Sequence, residues 1–210
     1  MVFKDRADAG KKLAEKLLNH VDQNNTVVIG LPRGGVVVAF EVAKKLKLPL
    51  DIIVSRKIGM PGQPEFAVGA ITADGKEVFD QRLIQSFELE RKDLEKIIEA
   101  EKKETLRRMR VYRPGRAELN LKNKTVILVD DGIATGMTMQ ATLLSARGLG
   151  AKRIIIGVPV IPQDQINVLK RLSDELVYLD APVNFGAISI FYQDFSQVND
   201  DQVIKLMQAA

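Results

Sequence analysis

The stretch TVILVDDGIATGMT, residues Thr125–Thr138, decides how this 210-residue sequence is interpreted. Its apolar, mostly β-branched residues 126–129 predict a buried strand, and Asp130 and Asp131 follow that strand directly. A Gly/Thr-rich turn then leads into the apolar spacing of a helix. Backbone N–H groups in such a loop and in the first helical turn have no intrahelical acceptor, so they attract an anion. Carboxylates suited to hydroxyl groups, beside a loop suited to phosphate, indicate a sugar phosphate as the ligand.

Composition excludes several kinds of site. The sequence contains no cysteine, which excludes disulfides, a thiolate nucleophile and thiolate-bound zinc. Its single histidine, His20, excludes a Ser-His-Asp triad and a multi-histidine metal site. No apolar run reaches transmembrane length and the N-terminus is charged, so we expect a cytoplasmic protein with no membrane partner. The net charge of +4 suits a polyanionic ligand, but does not by itself indicate nucleic acid, which we do not expect as a partner.

Apolar periodicity predicts strands that alternate with helices along most of the chain. The predicted strands are Thr26–Leu31, Leu50–Ser55, Phe66–Thr72, Lys76–Phe79, Lys124–Val129, Arg153–Val158 and Glu175–Leu179. The predicted helices are Asp8–Val21, Val36–Leu46, a long charged stretch over residues 81–112 with a core-facing stripe at Leu94, Ile97, Ile98 and Ala100, then Thr138–Leu149 and Gln163–Leu172. This order is typical of an α/β fold with a doubly wound, mainly parallel sheet, whose ligands bind at the carboxyl ends of the strands.

The order of acids and threonines after the apolar strand resembles the phosphoribosyl-pyrophosphate (PRPP) motif of type I phosphoribosyltransferases. Asp130 and Asp131 match the paired acids, and Thr135, Gly136 and Thr138 match the phosphate loop. The resemblance implies a single domain over residues 1–210 with the type I phosphoribosyltransferase fold. Its core would span about residues 25–180, and a small hood for the acceptor would be formed by about residues 1–24 and 181–210.

Two basic segments precede this motif. In Pro32-Arg33-Gly34-Gly35 the glycines allow a close backbone approach, and Arg33 can bind phosphate oxygens. Members of the resembling family bind pyrophosphate with a basic residue before Gly-Gly, often beside a non-proline cis peptide, which we therefore expect next to Arg33. Arg56 and Lys57 follow the second predicted strand, where relatives place a cation against pyrophosphate. An ordinary turn and a solvated basic pair are the alternative interpretations.

The resemblance also implies a reaction, in which a nitrogen nucleophile displaces pyrophosphate from C1 of PRPP. Asp130 and Asp131 would hold the ribose hydroxyls and position Mg²⁺ indirectly, through water or those hydroxyls. Arg33 and Lys57 would stabilise the leaving group, and these four residues form the predicted catalytic set. The predicted ligand-binding residues are Arg33, Gly34, Gly35, Arg56, Asp130, Asp131, Gly132, Ile133, Ala134, Thr135, Gly136, Met137 and Thr138.

The acceptor is less closely defined. Ala134 stands where hypoxanthine and guanine enzymes typically carry Asp, and the motif is closer to that of adenine enzymes. We therefore expect an Mg-dependent pentosyltransferase of nucleotide metabolism with a nucleobase acceptor, a purine slightly favoured, as in purine salvage. The alternative is a PRPP-sensing or RNA-binding regulator on the same fold. A homodimer is expected from the family alone.

Two structural assignments stay open in the sequence. The family has a mobile lid, and either Gly59–Glu65 or Arg107–Arg116 could form it. In the C-terminal tail, Phe185, Phe191 and Tyr192 could stack on the acceptor or could simply pack in the core.

Overall fold

The computed structural model describes residues 1–21 and 25–210. The strands are β1 (Thr26–Gly30), β2 (Leu50–Ile52), β3 (Ser55–Met60), β4 (Gln63–Thr72), β5 (Glu77–Phe79), β6 (Thr125–Val129), β7 (Arg153–Val160) and β8 (Glu175–Asp180). The α-helices are α1 (Arg6–Leu17), α2 (Gly34–Leu46), α3 (Gln81–Ser86), α4 (Arg91–Tyr112), α5 (Met137–Gly148), α6 (Gln163–Leu172) and α7 (Asp200–Gln208), with short 3-10 helices at Leu18–His20 and Ile188–Phe191. Within the described residues, no helix has both the length and the apolar character needed to cross a membrane.

The predicted doubly wound α/β fold is confirmed. The main sheet is parallel with the order β2-β1-β6-β7-β8, and β3-β4-β5 form a separate antiparallel sheet. Successive side chains of the central strands alternate between two buried faces. Val28 and Ile127 pack with α1, α2 and α7, whereas Ile29 and Leu128 pack with α5 and α6. Burial on both faces explains why these strands are apolar without interruption.

The strand order reverses between β1 and β6. From β1 the chain continues to β2 at one edge, and from β6 it continues through β7 to β8 at the other. Gly30 pairs with Val129, so the two strands end level with each other. The segments that follow them, residues 31–35 and 130–138, therefore lie side by side at the carboxyl edge. This reversal is where open α/β sheets bind ligands.

The segment after β2 differs from the sequence prediction. The predicted strand Leu50–Ser55 is too long, because β2 ends at Ile52 and Ser55 already begins the antiparallel sheet. The predicted loop Gly59–Glu65 is also wrong, since β3 continues to Met60 and β4 resumes at Gln63. Only Pro61 and Gly62 remain as the turn. Gly62 has φ 77°, a left-handed conformation that a residue without a Cβ adopts readily.

The predicted helix over residues 81–112 is divided in two. α3 ends at Ser86, and Glu88 has φ 50°, which is incompatible with a continuous right-handed helix. Glu90 and Asp93 then form a capping box that begins α4.

The core-facing stripe of α4 is confirmed except at one position. Leu94 and Ile98 are buried against β3 and β4, and Ile97 packs beside them. Ala100 is exposed, contrary to the prediction. It lies two residues beyond Ile98, which places it about 200° around the helix from that buried position.

The two ends of the chain meet beside the carboxyl edge. The N–H of Phe3 donates to the carbonyl of Phe191, and the N–H of Gln193 donates to the carbonyl of Phe3, both at 2.8 Å. The rings of Phe3 and Tyr192 are 5.3 Å apart. Residues 22–24 of the predicted hood lie outside the described residues, and the hood itself stays a prediction.

Tyr112 leads us to expect a loss of stability at alkaline pH. It is fully buried, and its hydroxyl donates to Asp200 Oδ1 at 2.7 Å. Burial, and then this hydrogen bond, raises the pKa of Tyr112 from 10.0 to about 12. A raised folded-state pKa favours the protonated phenol in the folded state, so its contribution is complete below pH 10 and is lost as the pH rises toward 12.

The free energy of unfolding should therefore fall over that window by an amount on the order of 2 kcal/mol. Denaturant titrations at several pH values would measure it, with Tyr112→Phe as the comparison. The variant should show a shallower fall, and an equal fall would contradict the assignment to Tyr112.

Candidate functional site

The loops after β1 and β6 enclose a cavity of about 230 Å³ at the carboxyl edge of the main sheet. β3 and the tail contribute one residue each to its wall. The lining residues are Pro32, Arg33, Gly34, Lys57, Asp130, Asp131, Gly132, Ile133, Ala134, Thr135, Gly136, Thr138 and Ile188. The structure thus brings together most of the residues singled out in the sequence. Gly35, Arg56 and Met137 do not line the cavity.

The loop between β6 and α5 lines one side of the cavity, and residues 132–136 and 138 contribute to its wall. Gly136 caps α5 with φ 76°, so this position favours glycine, and the helix begins at Met137. Met137 is buried against Ala70 of β4, which explains its absence from the cavity wall. No lysine or arginine occurs between Asp131 and Arg147. A negative charge in this loop would therefore be stabilised by N–H groups, threonine hydroxyls and the dipole of α5, without a local cation.

Asp130 and Asp131 place two carboxylates together in this cavity. The N–H of Asp131 donates to Asp130 Oδ1 at 2.9 Å. Burial, and then the neighbouring charge of Asp131, raises the pKa of Asp130 well above its usual range. Burial also raises the pKa of Asp131, and Arg6 opposes that shift. Since two buried carboxylates repel each other, the pair favours a ligand that brings hydroxyl donors or a cation.

Arg6 is a site residue that sequence reasoning missed. Its Nε donates to Asp131 Oδ2 at 2.7 Å, and its Nη1 donates to the carbonyl of Ser196 at 2.8 Å. The guanidinium carbon lies 3.8 Å from the centre of the Phe195 ring. The Tyr192 hydroxyl donates to the carbonyl of Asp131 at 2.6 Å. An N-terminal residue, Arg6, and a C-terminal residue, Tyr192, are therefore both hydrogen-bonded to Asp131. No local sequence pattern signals these contacts.

The turn into α2 is closely packed against the two acids. A Cβ on Gly34 would lie 2.0 Å from Asp131 Oδ2, and a Cβ on Gly35 would lie 2.6 Å from Asp130 Oδ1. The close approach that these glycines permit is therefore to the carboxylates. The peptide bond between Pro32 and Arg33 is cis, which confirms the prediction made for this loop.

The three predicted cations differ in position. Arg33 and Lys57 line the cavity, and Arg33 Nη1 lies 3.4 Å from Asp200 Oδ1. Arg56 instead forms an ion pair with Glu101 of α4. Both residues lie near the start of β3, not at the end of β2, and neighbouring residues in a strand face opposite sides. Arg56, one of the predicted ligand-binding residues, therefore pairs with α4 and does not line the cavity.

The two candidate lids are also placed differently. Arg113 donates to both carboxylate oxygens of Asp51, at 2.7 and 2.9 Å, and Arg116 donates to the carbonyls of Leu50 and Met207. These contacts hold Arg113 and Arg116 at the start of β2. Arg107 instead pairs with Asp200, which also pairs with the cavity residue Arg33. The turn at Pro61 and Gly62 is exposed at the end of the β3–β4 hairpin, which also carries Lys57.

Two of the three candidate stacking residues are buried. Phe191 and Tyr192 are 8% and 6% exposed, and the Phe185 ring packs on Phe191 with 5.4 Å between centres. Their arrangement supports the alternative of core packing for this cluster.

Comparison with known proteins identifies the class to which this fold and cavity belong. The family model of the phosphoribosyl transferase domain matches residues 3–192. The chain therefore belongs to the phosphoribosyl transferase family, which confirms the resemblance seen in the sequence.

Individual relatives agree with this assignment. Two Mycobacterium tuberculosis proteins, from strains CDC 1551 / Oshkosh and H37Rv, bear provisional phosphoribosyl transferase names, and each is 40% identical over 209 residues. The match covers 100% of this chain and 47% of each relative, so the chain spans about half the length of these curated relatives. The crystal structure of TT1426 from Thermus thermophilus has a TM-score of 0.82 at 38% identity, covering 100% of this chain and 99% of that one. AQ2163 from Aquifex aeolicus, at 10% identity, has a TM-score of 0.50 over 84% of this chain and 74% of its own, and is similar in fold alone.

Proposed function

We propose that the protein transfers the phosphoribosyl group of PRPP to a nitrogen nucleophile and releases pyrophosphate. The observation that carries this proposal is the cavity in which a phosphate loop without a cation, two carboxylates and two cations meet. Residues 134–138 would bind the 5-phosphate, and Asp130 and Asp131 would bind the ribose hydroxyls. Arg33 and Lys57 would bind the pyrophosphate. Each group of the substrate thus has a chemically matched partner.

The reaction breaks the bond between C1 and the pyrophosphate oxygen and forms a bond between C1 and the acceptor nitrogen. The bonding electron pair leaves with pyrophosphate, and the acceptor loses its proton. Arg33 and Lys57 would stabilise the negative charge that develops on the leaving oxygen. Anchoring of the remote 5-phosphate would orient C1 between leaving group and nucleophile, which lowers the entropic part of the barrier.

The donor set fits an indirectly held Mg²⁺. Among the described residues, no group of three or more His, Cys, Asp or Glu side chains could enclose a metal. Asp130 and Asp131 supply hard oxygen atoms, but Arg6 already occupies Asp131 Oδ2. Because Mg²⁺ retains waters and accepts substrate oxygens as ligands, the two acids would contact its waters or the ribose hydroxyls. Bound in this way, Mg²⁺ would neutralise charge on pyrophosphate.

The acceptor and its surroundings form the finer part of the proposal. A nucleobase is proposed, a purine slightly favoured, with Ala134 leaving no carboxylate at the position that faces the ring in hypoxanthine and guanine enzymes. The β3–β4 hairpin is proposed as the lid, because it carries Lys57 and its turn at Pro61 and Gly62 is exposed, whereas Arg113 and Arg116 tie the end of the other segment to β2. A cytoplasmic homodimer is proposed on family grounds.

A pyrophosphate-release screen would test this function. The protein is incubated with PRPP and Mg²⁺ and with purines, pyrimidines and other nitrogen acceptors in turn, and ribose 5-phosphate replaces PRPP as the control. Release that depends on one acceptor class is the expected result. PRPP binding without release for any acceptor would contradict the transferase function and support the PRPP-sensing alternative.

The phosphate loop is expected to bind an anion without the rest of the substrate. Thr135→Val and Thr138→Val should each weaken inorganic phosphate binding by about 1–3 kcal/mol, because each removes one charge-assisted hydrogen bond. Calorimetry would measure the affinity, and Thr125→Val, at the opposite end of β6, provides the control. An ordered, unobstructed loop without an anion in crystals soaked in concentrated phosphate would contradict this assignment.

A further inference from the structure

We infer that Arg6 is a positioning residue that orients Asp131 toward a ribose hydroxyl, so that the N-terminal helix is part of the sugar site. This inference rests on the proposed function. It assigns a role to a residue that lies outside the PRPP motif and 125 positions away from its partner in the chain.

Contacts on three sides fix the Arg6 guanidinium. Nε donates to Asp131, Nη1 donates to the carbonyl of Ser196, and one face of the group stacks on Phe195. The side chains of Arg6 and Asp131 are only 10% and 13% exposed. Since the pair is shielded from solvent and geometrically fixed, it sets the direction of the carboxylate far more firmly than a surface ion pair would.

Two hydrogen bonds orient the pair of acids side by side. Asp131 Oδ2 accepts from Arg6, and Asp130 Oδ1 accepts from the N–H of Asp131. The two carboxyl groups also share a hydrogen bond with each other, which a ligand with its own hydroxyl donors would replace. Two neighbouring hydroxyls on a furanose ring require two neighbouring acceptors, and this arrangement supplies one from each carboxylate.

The glycine at position 34 supports the same geometry. A Cβ there would lie 2.0 Å from Asp131 Oδ2 and 2.8 Å from Arg6 Nε. Any side chain at position 34 would therefore displace the ion pair itself. Gly34→Ala should accordingly reproduce the effect of removing Arg6, although it changes neither charge.

The test separates orientation of the acid from general support of the fold. Calorimetry measures the affinity for ribose 5-phosphate and for inorganic phosphate in the wild type and in Arg6→Met, Arg6→Lys and Gly34→Ala. Lys12→Met is the matched control, since Lys12 is a cation of the same helix that pairs with Asp8 at the surface. Inorganic phosphate has no sugar hydroxyls, so it reports anion binding in the cavity without the ribose and shows whether a variant is folded.

Arg6→Met and Gly34→Ala should lower the preference for ribose 5-phosphate over phosphate by about tenfold or more, because a charged hydrogen bond to the sugar loses its alignment. Phosphate affinity should stay within about twofold, since the loop is not in contact with Arg6. Arg6→Lys should restore part of the preference, and Lys12→Met should retain all of it.

An unchanged preference in Arg6→Met would overturn the inference, and so would an equal loss of affinity for both ligands, which indicates structural support only. If the wild type itself shows no preference for ribose 5-phosphate, the proposed function fails and the inference fails with it. The two failures are therefore distinguishable.

Discussion

Asp130→Asn combined with Asp131→Asn should abolish measurable PRPP binding while the protein stays folded. Asparagine has nearly the same volume as aspartate, so packing at the end of β6 is retained. Each amide, however, offers a weaker acceptor to a hydroxyl, and the site loses both charges that would hold a hydrated Mg²⁺. Loss of two charge-assisted hydrogen bonds corresponds to about 3–6 kcal/mol, or roughly 150-fold to 25,000-fold in affinity.

Calorimetry with PRPP and Mg²⁺ would measure this effect. The control is Asp164→Asn with Asp201→Asn, which removes the same charge from exposed positions. Inorganic phosphate should still bind to the site double mutant, because the phosphate loop needs no carboxylate and two repelling charges are gone. Unchanged PRPP affinity in the site double mutant would show that the acids do not bind the ribose.

The parts of the site that the sequence could predict are encoded by neighbouring residues. An apolar run, two acids and a Gly/Thr loop determine a strand, its end and a helix start, all within Thr125–Thr138. Parallel strands end at one edge, so the loop at Arg33 could be expected beside the acids once an α/β fold was inferred. Local pattern was therefore sufficient to place the motif Thr125–Thr138 and the loop at Arg33 beside each other.

The remaining parts depend on contacts between distant segments. Arg6 and Tyr192 hydrogen-bond to Asp131 from the N-terminal and C-terminal segments, and Phe195 stacks on Arg6. From the sequence, Arg56 and Lys57 had the same predicted position, after the second strand. The apolar residues that join β2 to β3 carry no signal that one strand ends and another begins. Once they lie in a strand, its alternation separates them.

Gly35→Ala should disable the site more than the addition of one methyl group suggests. A Cβ at this position would lie 2.6 Å from Asp130 Oδ1, 2.8 Å from Asp130 Cα and 3.0 Å from the carbonyl oxygen of Val129. Two of these atoms belong to the backbone at the end of β6. Because β6 is the central strand of the main sheet and is hydrogen-bonded on both sides, this backbone cannot shift to make room. The first turn of α2 must therefore move away, and it carries Arg33 with it.

Two opposing effects decide the size of the change. Alanine gains roughly 0.5–1 kcal/mol over glycine inside a helix, whereas overpacking costs about 1–3 kcal/mol, so the net loss of stability should be at most about 2.5 kcal/mol. The effect on the site should be larger, because a displacement of about 1 Å between reacting groups can cost about 100-fold in rate. Chemical denaturation and the pyrophosphate-release assay would measure the two effects.

Gly148→Ala is the matched control, since its Cβ would meet only the flexible end of Lys76. It should leave the rate unchanged and stabilise the protein slightly. A rate for Gly35→Ala within about twofold of the wild type would mean that α2 can withdraw without moving Arg33 relative to the acids. In that case the close packing of α2 against the end of β6 would not determine the geometry of the proposed pyrophosphate site.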